Sequence, residues 1–473
     1  MSYDNSMAVN SNEEPRSLAV SDKLFNRNYL MLYQGQFVSR LGNAVYSLAI
    51  ALWLKGVTDS GTVMGIFYAV TAFPLIAMSV IGGAVADRFS RKGIIVGTDV
   101  LNGLAMLALA GVLWMDYSQP VQIAAVFIVG IVASSLRAFF GPAANAAIPD
   151  LVPENRIEGA NSMGKLSEKI SQFFGSFSGA YFLGLLGLPL LVAINGITYL
   201  LSALSEGFIH IPQRIPEKTK GIKNYFHIFS EDIRQGLRYI RQNAGLKRLL
   251  YLSIGTSFFS TPVMILMVFY VTDFLKLSNE WFGYFLVIFG VGSLVGTILV
   301  SVFRVHGDSR KFFLILFLLL EAAGYLLLPY VTHYSQAMAL AFFGGVMNGF
   351  STISIFSLMQ LTTPSKIRGR VFGALTTLSG SIAPLGMAMG GVLYDYFDHN
   401  IGIIYTISGL GMIFVILIVS SNRAFRKFIA YETPEQMGAT GFRYTIKTVQ
   451  RDQLLEQKER FIEEQFKKTR SQI

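Results

Sequence analysis

Gly83-Ala84-Val85-Ala86-Asp87-Arg88-Phe89-Ser90-Arg91-Lys92 is a short polar turn between two long apolar runs, residues 61–83 before it and 93–115 after it. A bilayer core takes about 20 mostly apolar residues per helix, and both flanks are that long. The turn therefore reads as a loop at a membrane surface. Its glycine, its acid and its three bases stand at a boundary where charge is cheap and apolar burial ends on both sides.

Outward from this turn the chain offers twelve such stretches. The first six are 28–54, 61–83, 93–115, 120–146, 160–186 and 188–209, and the second six are 248–273, 281–303, 312–331, 335–360, 371–394 and 400–421. Composition agrees: 52% of the 473 residues are hydrophobic and 14% are charged, against about 25% charged in a soluble domain. Such a chain has too little polar surface to cover itself in water. Zero cysteines exclude disulfides and thiolate metal sites. The expected fold class is an all-α polytopic membrane protein. Its expected organisation is a cytoplasmic N-terminus (1–27), a six-helix bundle (28–209), a linker (210–247), a second six-helix bundle (248–421) and a cytoplasmic tail (422–473).

The net charge of +10 would suggest nucleic acid in a soluble protein, but the bases follow the topology. Of 39 Lys and Arg, 33 fall in one set of loops, which includes both termini. Only Lys55 and Lys276 fall in the other set. By the positive-inside rule both termini are cytoplasmic. Residues 1–27 are polar with no apolar core or cleavage site, so the first span is expected to serve as the insertion signal. The linker is not plain: Phe226, Phe229, Ile233, Leu237, Ile240 and Ala244 mark one apolar helical face. That helix either lies among lipid headgroups or packs under the bundle. The long tail carries Glu463→Lys467 and Glu464→Lys468 pairs and a partial stripe of Leu455, Ile462 and Phe466, which reads as a mostly solvated helix.

The two halves echo each other. Pro153-Glu154-Asn155-Arg156-Ile157-Glu158-Gly159 after span 4 matches Pro364-Ser365-Lys366-Ile367-Arg368-Gly369-Arg370 after span 10. Each places a proline, a basic residue and a glycine at a helix start. Arg304 to Lys311 is a degenerate second copy of the opening turn. Repeats related about the membrane normal suit alternating access around a midplane site.

The opening turn resembles the G-x-x-x-D-R-x-G-R-K signature of the major facilitator superfamily, with Ser90 where the family usually has glycine. Gly141-Pro142, Pro149-Asp150, Pro153, Gly159-Ala160-Asn161, Glu231-Asp232, Gly236, Arg241 and Arg368-Gly369-Arg370-Val371-Phe372-Gly373 are similar to the branch holding enterobactin exporters and macrolide-efflux proteins. The resemblance covers roughly residues 28–421. It implies a twelve-helix fold in two bundles and a secondary transporter of the bacterial inner membrane. It further implies proton-driven export of a small amphiphilic organic compound, such as a drug or siderophore. Expected partners are that substrate, protons and membrane lipids, with the protein a monomer. Two readings stay open beside it: a lysolipid flippase or proton-independent importer, and a membrane sensor that signals through its tail. No nucleotide-binding loop, metal-binding motif or catalytic constellation is present in the sequence, so no enzyme activity and no cofactor are expected.

The resemblance makes Gly83, Asp87, Arg88, Arg91 and Lys92 a gate, with Asp87 meeting the start of span 11 when the cytoplasmic side closes. An anion at a helix N-terminus is stabilised by up to ~2 kcal/mol. The basic residues of the turn would pair with nearby carboxylates, Asp99 among them. Ionisable residues at depth are costly and mark function. Arg40, Arg137, Glu168 and Lys169 lie at similar depth in spans 1, 4 and 5, and Lys165 lies nearby. Arg137-Ala138-Phe139-Phe140-Gly141 is faintly similar to the span 4 motif of drug–proton antiporters. Arg137 and Glu168 form either a structural pair or a coupling pair. Glu321 stands among apolar residues of span 9 and either carries protons or bonds within the core. Gly175 and Gly179, and Ala383-Pro384, Gly386, Gly390 and Gly391, allow close helix approach, without the proline that antiporters place in span 5. Phe173, Phe174 and Phe177 would suit an apolar substrate.

Overall fold

Several helices begin where a short polar side chain caps them. In the computed structural model, which describes residues 24–115, 117–213, 222–303, 305 and 307–431, Asn26 accepts from Tyr29 N–H to start α1 (Arg27–Thr58). Ser60 does the same for α2 (Gly61–Arg88). Ser90 accepts from Gly93 N–H at 3.2 Å and starts α3 (Arg91–Trp114). A serine where glycine is usual is thus an N-cap, which stabilises a helix start by about 1 kcal/mol over alanine. The order continues with α4 (Gln119–Leu151), α5 (Ile157–Gly207), α6 (Ile222–Gln242), α7 (Ala244–Phe269), α8 (Asn279–Val302), α9 (Gly307–Leu327), α10 (Tyr334–Thr362), α11 (Ser365–Tyr396), α12 (Ile401–Ser421) and α13 (Arg423–Ile429).

Among the described residues, eleven helices are long and apolar enough to cross a membrane. One of them is double. α5 contains Gly187 at φ 70°, ψ 164°, a conformation open to glycine. Its arms fold back beside α1: Gly175 of the first arm meets Ala44, while Asn195 and Thr198 of the second meet Gly42. Eleven helices therefore carry the twelve apolar stretches, and the turn between the fifth and sixth is a glycine kink followed by Pro189.

The helices fall into two sets, α1–α5 and α7–α12, which meet along α2–α11 and α5–α8. Among the described residues, the helix ends that border the basic loops cluster at one end of each set, called the basic end below; the other is the far end. One apolar cluster joins both sets at the far end, running from Leu52 and Met64 to Phe269, Tyr270 and Tyr394. At the basic end each set keeps its own cluster, around Leu32, Ile95 and Ala147 in one and Leu249, Val371 and Ile416 in the other. The buried cores of the two sets merge at the far end and stay two clusters at the basic end, where α6 also touches α2.

One open alternative is decided and one expectation changes here. The linker helix α6 packs under the second set: Gly236 stands against the Arg370 backbone of α11 and Ile240 is buried. The side chains of Phe226 and Phe229 lie outside the described residues. The start of the tail is docked rather than solvated. Phe425 and Ile429 of α13 are buried, and Arg310 Nε donates to Ile429 O at 3.1 Å. Burial of two large apolar side chains is what holds these residues against α7 and α9. The helix expected further along, around Glu463 and Lys467, lies outside the described residues, as do most of residues 1–27.

Candidate functional site: a cavity between the two sets

A cavity of about 330 Å³ lies between α1, α2 and α5 on one side and α7, α8 and α11 on the other. Apolar side chains such as Met264, Phe282 and Met387 make most of its wall. Its polar groups are Ser47, Tyr68, Gln172 and Ser176, and its lining holds no charged side chain among the described residues. Such a wall favours an apolar ligand body with a few hydrogen-bonding points.

Helical spacing connects this cavity to the charged layer. Glu168, Gln172 and Ser176 are four apart and share one face of α5. Arg40, Ala44, Ser47 and Ala51 share one face of α1 in the same way. Arg40 and Glu168 therefore stand one turn, roughly 6 Å, from the cavity toward the basic end. Arg40 is held there: it donates to Gly164 O at 2.9 Å and to Gln36 Oε1 at 2.7 Å. The carboxylate whose charge reaches Arg40 is Glu168. Glu168 itself is exposed.

Arg137 does not pair with Glu168. It is exposed on α4, and its charge acts on Tyr46 and Tyr199 instead. Lys165 and Lys169 are exposed on α5. Glu321 is 5% exposed and accepts from Tyr325 Oη and Asn348 Nδ2, both at 3.2 Å. Its helix packs on α10, α12 and α13, away from the cavity. Of the expected layer of Arg40, Arg137 and Glu168, the structure brings Arg40 and Glu168 together and leaves Arg137 apart. The glycines of α5 serve close packing, Gly175 and Gly179 lying on Ala44 and Leu48 of α1. Phe173, Phe174 and Phe177 are exposed and do not line the cavity.

Over the far end of the cavity the two sets are latched. The Asp395 carboxylate of α11 accepts from Ser60 Oγ at 2.5 Å, Gly61 N–H at 2.8 Å and Thr62 N–H at 2.9 Å. It thereby caps the N-terminus of α2 from the opposite set, where helix N–H groups lack partners. Lys55 Nζ meets Asp273 Oδ1 at 2.5 Å, also across the sets. Beneath, α2 and α11 touch backbone to backbone: a Cβ on Gly65 would come 2.6 Å from Met387 O.

At the basic end the signature turn has a different look. Asp87 is exposed, and a Cβ on Gly83 would meet nothing within 4 Å. Arg91 pairs with Asp150 of α4 and donates to Ala146 O at 2.9 Å. Asp99, expected as a partner of the basic turn, is not that partner. It is two turns deeper, 2% exposed, and faces α5. Arg370 at the start of α11 pairs with Asp232 of α6 at 2.7 Å.

Sequence reasoning missed Gln172, Ser176, Ser47, Asp395 and Glu206. The first three are small or neutral and only their face gives them away. Asp395 lies at a span end, where a carboxylate looks like ordinary loop charge.

Three comparisons bear on this arrangement. A family model described as transmembrane secretion effector matches residues 22–438. Macrolide efflux protein A of Streptococcus pyogenes is 24% identical over 406 residues, covering 84% of this chain and 96% of that protein. The MFS-type transporter YkuC of Bacillus subtilis is 25% identical over 418 residues, covering 86% and 94%. Among solved structures, a D-xylose–proton symporter superposes with a TM-score of 0.64 at 16% identity, covering 86% of this chain and 99% of that one.

Proposed function

Because the chain belongs to the transmembrane secretion effector family of major facilitator transporters, and is a multi-pass secondary transporter rather than an enzyme, we propose that it exports a small amphiphilic organic molecule from the cytoplasm, driven by protons. The observation that carries this reading is the apolar, uncharged cavity between the sets, latched at the far end and flanked at the basic end by two cores that do not merge. With the basic loops cytoplasmic, this arrangement fits the loading state of an exporter. An amphiphile enters past Arg40 and Glu168 and places its apolar body against Met264 and Phe282. Its polar groups meet Gln172 and Ser176.

Export then needs the reverse arrangement. The Asp395 and Lys55 contacts break, and the basic end closes. The signature turn supplies that closure: Asp87 at the N-terminus of α11 would repeat, at the opposite end of the same helix pair, what Asp395 does for α2. The vacant space over Gly83 is where α11 would then approach. The similarity to a macrolide efflux protein supports export and an amphiphilic substrate class.

Accumulation of a macrolide, erythromycin, in cells lacking their own pumps tests the reading. Expression of the chain should lower accumulation, and an uncoupler should restore it. Asp87→Asn should cut efflux with expression unchanged, while the Ser47→Cys chain stays labelled from the cytoplasmic side. Efflux insensitive to the uncoupler overturns proton drive, and unchanged efflux and labelling in Asp87→Asn overturn the gate.

A further inference from the structure

Asp99 of α3 and Glu206 at the end of α5 are 2% and 0% exposed and stand beside each other. Neither belongs to the cavity, the latch or the signature turn. Oδ2 of Asp99 and both carboxyl oxygens of Glu206 have no hydrogen-bond partner. Ser202 Oγ, 1% exposed, also has none. It stands beside Asp99 without the geometry of a hydrogen bond and, one turn before Glu206, points at the same spot. A Cβ on Gly35 of α1 would lie 2.9 Å from Ser202 Oγ and 3.2 Å from Glu206 Oε1. Glycine at 35 thus leaves room for both. Asn102 Oδ1, one turn on from Asp99, is likewise buried without a partner.

The neighbouring charges are few. On α5, Tyr199 feels the Asp99 charge, and its hydroxyl oxygen accepts from Asn43 Nδ2 of α1 at 2.5 Å. Arg137 of α4 acts on that same tyrosine. On α1 the contact is Gly35, and the nearest base, Arg40, is engaged by Gln36 and Gly164. Among the described residues no Lys, Arg or His forms an ion pair with either carboxyl. Two carboxylates are acceptors only. Buried face to face with no cation, they cannot both be ionised. A proton between them satisfies one oxygen of each, as in paired catalytic aspartates.

We propose that Asp99 and Glu206 form a proton-binding site that sets which end of the transporter is open. One proton from water forms an O–H bond on one carboxyl and is donated to the other. Its loss returns it to water and leaves two anions that repel. The repulsion acts on α1, because Gly35 touches Glu206 and the next residue, Gln36, holds Arg40 at the cavity mouth. The site rests on the proton-driven reading above and supplies it with a proton carrier outside the substrate path.

Labelling of Ser47→Cys in the otherwise cysteine-free full chain, in proteoliposomes from acid to alkaline pH, tests this. The labelling rate should depend on pH in the parent. That dependence should be lost in Asp99→Asn and in Glu206→Gln, and kept in Glu168→Gln and Glu321→Gln. If the dyad variants keep the parent's pH dependence, the site is wrong and proton drive stands. If the parent shows no pH dependence, proton drive falls and the site falls with it. Infrared spectra decide the matter even where a variant does not fold. A protonated-carboxyl band that survives Glu321→Gln should be present in the parent at neutral pH, and its absence overturns the proposal.

Discussion

Asp395 does with one side chain what usually takes a loop. It satisfies Ser60, Gly61 and Thr62 at the start of α2 from the other set of helices. Charge-assisted bonds at a helix N-terminus contribute about 1–2 kcal/mol when partly buried. Asp395→Asn should therefore shift the equilibrium toward the far-open state by roughly 5- to 30-fold. The shift is read as faster labelling of Ser47→Cys by an impermeant reagent from the far side. Labelling that stays at the parent rate would show that the glycine crossing alone holds that end. At the same scale, Gln172→Ala should raise the KM for an effluxed macrolide with little change in expression. Gln172 is one of four polar groups in an uncharged wall, and a lost hydrogen bond to a bound ligand costs about 0.5–1.5 kcal/mol. Why Glu168 sits exposed beside Arg40 follows from α5 presenting one polar face; the sequence shows that face only once Glu168, Gln172 and Ser176 are counted together.

Among elements, α2 and α11 form the moving contact. Their crossing at the far end uses Gly61, Gly65 and Gly391, where no Cβ fits. Small residues permit such close approach. Gly65→Leu should prevent far-end closure, because the clash is with Met387 backbone rather than a side-chain tip. Proteins of this variant should label from the far side regardless of pH. A variant that still excludes the reagent would mean that α11 can retreat without opening the cavity. α5 carries the other element-scale lesson. A mostly apolar stretch from 160 to 209 reads as two spans by length alone. The turn itself needs Gly187 at positive φ, and a glycine in an apolar run carries no such label.

For the whole molecule, the tail divides at the end of α13. Phe425, Ile429 and the Arg310 bond tie residues 423–431 to the second set. Deleting 440–473 should leave insertion and efflux near the parent level, whereas deleting from 422 should lower the thermal stability of the purified protein. Arg310→Ala should act in the same direction as the longer deletion, since it leaves the Ile429 and Tyr431 carbonyls without their donor. A 440–473 deletion that inserts normally yet loses efflux would favour a signalling or partner-binding role for the tail.

Hydropathy and charge by themselves displayed the long apolar stretches, the loop that carries the signature and the set of loops in which bases collect. Those are properties of transfer between water and hydrocarbon, summed along the chain, and they need no partner residue. The tertiary structure decided the pairings. Arg91 took Asp150 rather than Asp99 because α4, not the deeper turn of α3, lies beside the loop. Glu168 came to Arg40 rather than Arg137 because α1 and the first arm of α5 pack glycine to alanine. Asp99 and Glu206, more than a hundred residues apart, became one site only when α5 folded back at Gly187. Coulomb and hydrogen-bond energies fall off within a few ångströms in competition with water. Which charges interact is therefore set by helix packing across the bundle, and a linear sequence does not display it.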